Sequence, residues 1–149
     1  MSRKLYPGIM AAVLAADCAG KKAARHYVKK FGDQGERPVK IQLLENKGMA
    51  GGMLEGEDAL INSMSSAVIL AVLWNLLRDS RKRPWSMKGI GLALAAGGGR
   101  SNLGDRLMTG SVTDYIRFPK LPGQLPGRLV FNLSDFAIAA GAILADLSD

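Results

Sequence analysis

Apolar and polar positions segregate into blocks along this chain, and the blocks set the expected element plan. Residues 59–77 (ALINSMSSAVILAVLWNLL) carry no charge, and their length suits the ~20 residues with which an α-helix crosses a ~30 Å hydrocarbon core. This block predicts a transmembrane helix that stops at Arg78. Beyond it, Arg78, Arg81, Lys82, Arg83, Pro84 and Trp85 supply positive charge, a helix-ending proline and an interfacial aromatic, with Trp74 as a second anchor. Residues 87–107 form another long run, apolar as far as Gly99. Gly89, Gly91, Gly97, Gly98 and Gly99 would each cost ~1 kcal/mol against Ala in a soluble helix, yet inside a bundle they let backbones approach closely. A further run, 130–147, is apolar except for Asn132, Ser134, Asp135 and Asp146, and a shorter one, 5–16, stops before Asp17.

Two polar segments separate these runs. Residues 18–58 begin with a basic amphipathic stretch, Lys21, Lys22, Arg25, Lys29 and Lys30 against Ala24, Tyr27, Val28 and Phe31, expected to lie along lipid headgroups. Val39, Ile41 and Leu43 then alternate with Lys40 and Gln42 as a strand does, and SVTDYIRF at 111–118 alternates in the same way. The proline- and glycine-rich PKLPGQLPGR at 119–128 reads as a loop. The expected fold is therefore an all-α membrane protein with four transmembrane helices, a small extramembrane β-like cradle and an amphipathic interfacial segment. It forms a single domain over residues 1–149, a length that leaves no room for a second.

Composition changes this picture little. A mean hydropathy of +0.07 is low for a membrane protein, but it averages strongly segregated blocks. A net charge of +7 raises nucleic acid or an anionic membrane surface as partners. The basic residues flank apolar runs, which favours the membrane, and a soluble nucleic-acid binder of this size would struggle to bury residues 59–77. The single cysteine, Cys18, excludes an internal disulfide or a cysteine metal cluster and is read as a buried small hydrophobe at a helix end. The single histidine, His26, excludes a His-rich zinc site and is assigned to a solvated basic face. Leu14-Ala15-Ala16-Asp17-Cys18 superficially suggests the lipidation signal of a secreted lipoprotein. The acidic Asp17 stands where a small neutral residue is required, and such a reading leaves the later apolar runs unexplained.

The chemistry resides in a few acids and amides. Asp135 lies within an apolar run, where a charge at a helix centre costs ~2.5–3.5 kcal/mol on insertion scales, and Asn132 shares its helix face one turn earlier. Either Asp135 is functional or it belongs to the helix N-terminus, where the dipole favours a carboxylate. Asn102, Asp105 and Arg106 also share a face and, taken alone, read as an ion pair closing a polar helix end.

Three segments carry a further signal when taken in order. Asn-Leu-Gly-Asp-Arg at 102–106, Val-Thr-Asp-Tyr-Ile at 112–116 and Phe-Asn-Leu-Ser-Asp at 131–135 resemble the three C-terminal motifs of lipoprotein signal peptidases, the signal peptidase II family. Upstream, Glu-Asn-Lys-Gly-Met-Ala at 45–50 is similar to the family's Asn-x-Gly-Ala-Ala-Phe segment, and Asp17 with Lys21 is similar to its Asp-x-x-x-Lys element. The chain looks like a shortened, divergent member. Its first apolar run is short, the usual Phe is missing after Ala50, and Arg100 and Ser101 replace an apolar residue and a glycine.

The resemblance implies a membrane aspartyl endopeptidase that cuts diacylglyceryl-modified prolipoproteins just before the lipidated cysteine. By the family's pattern Asp114 and Asp135 would be catalytic. Asn46, Gly98, Asn102, Arg106 and Asn132 would contact substrate, and Asp17, Lys21 and Asp105 would give structural support. Two close carboxylates cannot both ionise readily, so one would hold a proton while the other activates water. No metal or cofactor is implied. The partners implied are the prolipoprotein and membrane lipids, not nucleic acid, and the expected state is a multi-pass monomer of the bacterial cytoplasmic (inner) membrane with its active site near the outer face. The alternative is a catalytically silent four-span relative that acts as a membrane binding or scaffold protein.

Overall fold

The computed structural model describes residues 5–32, 37–49, 53–119 and 129–148. Its elements follow the order α1 (Leu5–Phe31), β1 (Lys40–Asn46), α2 (Asp58–Lys82), α3 (Met87–Thr109), β2 (Val112–Arg117), β3 (Val130–Phe131) and α4 (Leu133–Asp146). The strands form one antiparallel sheet in the order β1-β2-β3, so the two polar excursions of the chain pair with each other. Leu44 lies opposite Asp114 and Asn46 opposite Val112, after an irregularity between Ile41 and Leu44.

Helix α3 is the axis of the bundle and packs against α1, α2 and α4. Successive helical residues point ~100° apart, so the consecutive glycines 97, 98 and 99 face three different neighbours. A Cβ on Gly97 would lie 3.1 Å from Met10 Cα in α1, one on Gly98 2.5 Å from the Ser134 carbonyl oxygen in α4, and one on Gly99 3.0 Å from Ile69 in α2. Gly91 and Gly141 meet reciprocally, each leaving room for the other's carbonyl oxygen. The glycine content thus serves close helix packing, the role expected of small residues between helices in lipid.

Of the four helices, α2 is long and apolar enough to cross a membrane on length and composition alone. Most of its surface faces outward, with Val68, Leu70, Trp74 and Leu77 exposed. Helix α4 has 14 residues, which reach about 21 Å at 1.5 Å per residue.

Several expectations are corrected. The first helix does not end before Asp17. α1 runs for 27 residues to Phe31, so the basic stretch is no separate interfacial segment but the second half of one helix. The charges that suggested a boundary are neutralised inside the fold, because Lys21 pairs with Asp17 one turn away and with Asp105 of α3. Cys18 consequently sits mid-helix and is exposed. Helix α2 continues past Arg78 to Lys82 and stops at Arg83, before Pro84. In the last apolar run, Val130 and Phe131 leave the helix to pair with β2, and Asn132 caps α4. Residues 120–128, most of the loop read at 119–128, lie outside the described residues.

Candidate active site

Strands β1 and β2 and helices α3 and α4 deliver the polar side chains that meet at the junction of sheet and bundle. Asn132 is the N-cap of α4: its Oδ1 accepts from the Asp135 backbone N–H at 2.9 Å, while Asp135 Oδ2 accepts from the Asn132 N–H at 3.0 Å. This is a reciprocal capping box, satisfying two N–H groups that an α-helix leaves without internal partners. The cap reading of Asp135 is therefore correct as local structure, and it orients the carboxyl group toward the other polar residues.

The two remaining N–H bonds of Asn132 extend the network. Nδ2 donates to Asp114 Oδ1 at 2.8 Å and to Asn102 Oδ1 at 3.0 Å. Asn102 in turn donates through Nδ2 to Asp135 Oδ1 at 2.9 Å. On the opposite side Asn46, at the end of β1, donates to Asp114 Oδ2 at 3.1 Å, and its own Oδ1 accepts from Gly48 N in a local turn. Asp114 and Asp135 are thus both bonded to Asn132, and each carboxyl group receives two N–H donors. Amides suit this position because they donate and accept without adding charge.

Asn132 is 0% and Asp114 3% exposed. Burial pushes the Asp114 carboxyl up to about 7, and the nearby charge of Asp135 adds to the rise, against the lowering effect of the hydrogen bonds from Asn46 and Asn132. A carboxyl group so raised can hold a proton or release one near neutrality, as acid–base work requires.

A second layer of charge supports this network. Asp17, fully buried, accepts from Ser101 Oγ at 2.6 Å and from the Ser134 backbone N–H at 3.3 Å, and it pairs with Lys21. Lys21 reaches Asp105 at 2.7 Å, and Asp105 also accepts from the Thr113 N–H at 3.4 Å, one residue before Asp114. The cluster ties α1 to α3, α4 and β2. It also corrects the expected pairing at 102–106: Asp105 is neutralised by Lys21, while Arg106 donates through Nη2 to Gly48 O at 3.0 Å.

Of the residues singled out from sequence, Asp114, Asp135, Asn46, Asn102 and Asn132 form one hydrogen-bonded unit. Arg106 borders it through Gly48, and Asp17, Lys21 and Asp105 lie behind it. Gly98 is the point where α3 meets the first turn of α4, at Ser134. Ala50, the last residue of the 45–50 segment, lies outside the described residues. Not legible as site residues in the sequence are Ser101 and Ser134, which hold Asp17, and Asn62, whose Oδ1 is buried with no hydrogen-bond partner among the described residues, beside Arg106 at a cavity of about 150 Å³. An amide inside the uncharged block 59–77 was the signal available for Asn62.

Comparison with known proteins gives a consistent result. A family model described as Signal peptidase (SPase) II matches residues 9–148. The chain is 31% identical over 153 residues to a lipoprotein signal peptidase of Chlorobium luteolum, covering 95% of this chain and 88% of that protein. It is 35% identical over 142 residues to one of Pelotomaculum thermopropionicum, covering 91% and 85%, and 34% identical over 151 residues to one of Nitrobacter hamburgensis, covering 93% and 88%. Two solved structures of bacterial membrane enzymes share the fold. One superposes with a TM-score of 0.77 at 22% identity, covering 97% of this chain and 86% of that one; the other gives 0.75 at 21%, covering 97% and 91%.

Proposed function

The chain belongs to the signal peptidase II family, a bacterial membrane protease family that removes signal peptides from prolipoproteins, and we propose that it does so with Asp114 and Asp135 as a catalytic pair. What supports this reading above all is that Asn132 is bonded to both carboxyl groups at once, in a buried site built by β1, β2, α3 and α4.

The pair works with one shared proton. The ionised carboxylate takes a proton from water as that water attacks the scissile carbonyl, and the protonated carboxyl donates to the developing oxyanion. Collapse of the tetrahedral species re-forms the carbonyl and breaks the C–N bond, the proton taken from water passing to the leaving amine and the proton lent to the oxyanion returning to its carboxylate. The pair titrates as a unit, so acid and base are roles of the pair. Asn46, Asn102 and Asn132 hold both carboxyl groups in position, and Arg106 and Gly98 border the volume where the peptide would lie. Asp17, Lys21 and Asp105 keep β2 and the first turn of α4 in register.

The substrate in this proposal is a diacylglyceryl-modified prolipoprotein cut before its lipidated cysteine. The protein acts as a single domain over residues 1–149 and as a monomer, with four helices in the inner membrane and the carboxyl pair near the outer face. Basic residues occur at both ends of the bundle, so this orientation rests on family membership and not on charge bias. The direct test incubates the purified protein with a prolipoprotein carrying or lacking the diacylglyceryl group and follows both by mass spectrometry. Cleavage of the lipidated form alone, at the bond before the cysteine, is expected. No cleavage of either would favour the silent scaffold instead.

A further inference from the structure

Away from the carboxyl pair, where α2 turns into α3, a cavity of about 770 Å³ opens between α1 and α2. Its position follows from the helix directions: Met87 begins α3 at this end, and Asn102 lies 15 residues further on, about 22 Å at 1.5 Å per residue. The lining changes character along one stripe of α2. Leu73, Leu76 and Leu77 are followed one turn later by Ser80 and Arg81, while Met10 of α1 contributes apolar wall. Leu76 belongs to the buried core and forms a floor, and Leu77 is exposed.

Charge at the mouth of this groove is one-sided. Residues 78–83 hold Arg78, Arg81, Lys82 and Arg83 against the single acid Asp79. Asp79 is engaged elsewhere, accepting from the Ser86 hydroxyl that caps α3. Among the described residues no carboxylate pairs with any of those four cations. An apolar slot graded into an unneutralised cationic rim, on a bacterial membrane protein, is the chemical complement of an acyl chain joined to an anionic phosphate headgroup.

We propose that this α1–α2 groove binds one anionic phospholipid, an acyl chain lying along Met10, Leu73 and Leu77 and the phosphate meeting Arg81. The site is independent of the catalytic reading, since it shares no residue with the carboxyl network.

The test titrates the purified full-length chain in detergent with dioleoylphosphatidylglycerol or dioleoylphosphatidylcholine and counts bound lipid by native mass spectrometry. One phosphatidylglycerol should bind saturably and about tenfold more tightly than phosphatidylcholine. Arg81→Gln should weaken phosphatidylglycerol about fivefold, a single cation near the headgroups having about that effect, and weaken phosphatidylcholine less, because the choline cation already offsets its phosphate. Arg37→Gln removes the same charge from an exposed position before β1 and should change neither. Leu73→Trp, which fills the slot, should weaken both lipids. Equal affinity of the unaltered protein for the two lipids, an Arg81→Gln effect no larger than that of Arg37→Gln, or full phosphatidylglycerol binding by Leu73→Trp would each overturn the proposal.

Discussion

Asn132 donates a 2.8 Å hydrogen bond to Asp114, 18 positions earlier in the chain, from the residue that also caps α4. One side chain therefore starts a helix and ties the strand carboxyl to the helix carboxyl, the cap resting on its Oδ1 and the link to Asp114 on its Nδ2. These two contributions separate by substitution.

Asn132→Ala removes both, and Asn132→Ser keeps a capping oxygen while losing the amide that reaches Asp114. Loss of the cap in the alanine variant should cost about 1 kcal/mol, read as a lower thermal midpoint in detergent. Both variants should cleave prolipoprotein on the order of 100-fold more slowly, the scale of a misaligned acid–base group. Thermal unfolding of the two variants beside their cleavage rates checks the separation.

The raised Asp114 carboxyl gives a pH dependence of defined sign. Unfolded, the group titrates near 3.8; folded, it holds its proton up to about 7. The folded state thus binds that proton more tightly. Its stabilising contribution is complete below 3.8 and is lost as the pH rises toward 7. The thermal midpoint should fall across that interval, and Asp114→Asn should flatten the slope. Cleavage should decline as the pH rises through about 7, where the shared proton is lost.

Lys21 neutralises two acids, one of them fully buried, and removing it strands both. Lys21→Met should destabilise by about 3 kcal/mol, the cost of leaving a buried charge without its partner. The double variant Asp17→Asn with Lys21→Met should recover part of that loss, because it relieves the buried acid while Asp105 stays partly exposed. Thermal unfolding of the single and double variants measures it.

Gly98 sets how closely α3 approaches the first turn of α4. Gly98→Ala would place a methyl carbon 2.5 Å from the Ser134 carbonyl oxygen, so one backbone must move. A loss of about 1–3 kcal/mol is expected from such overpacking, together with slower cleavage because Asp135 adjoins the displaced turn. Gly104→Ala, on the same helix with no described atom within 4 Å of its added carbon, should instead raise the thermal midpoint slightly, because alanine favours the helix by up to about 1 kcal/mol over glycine.

The sequence carried the helical blocks because charge-free and glycine-rich runs report on burial and lipid contact directly. The strands were legible at 39–43 and 111–118 from alternation, but nothing in those patterns says that they pair with each other. Helix α1 was truncated because Asp17 and Lys21 look like a polar boundary until Asp105, 84 residues after Lys21, completes their neutralisation. The same distance effect hid the true partner of Asp105 and left Cys18 assigned to a helix end. Asp135 was legible as either a cap or a site, and in the fold it is a cap residue that is also linked to Asp114 through Asn132. Asp114 itself, one inward position of an ordinary alternating strand, stood out only through resemblance. Burial and neighbouring charge, which make it chemically unusual, are properties of the folded chain.

The central claim is most directly tested by the cleavage rate of a lipid-modified prolipoprotein with the purified protein and with Asp114→Asn and Asp135→Asn. Both substitutions preserve shape and remove one titrating group. A loss of at least about 10³-fold in each variant is expected, with folding retained by circular dichroism. Cleavage by either variant at a rate comparable with that of the unaltered protein would contradict the assignment of that residue to the catalytic pair.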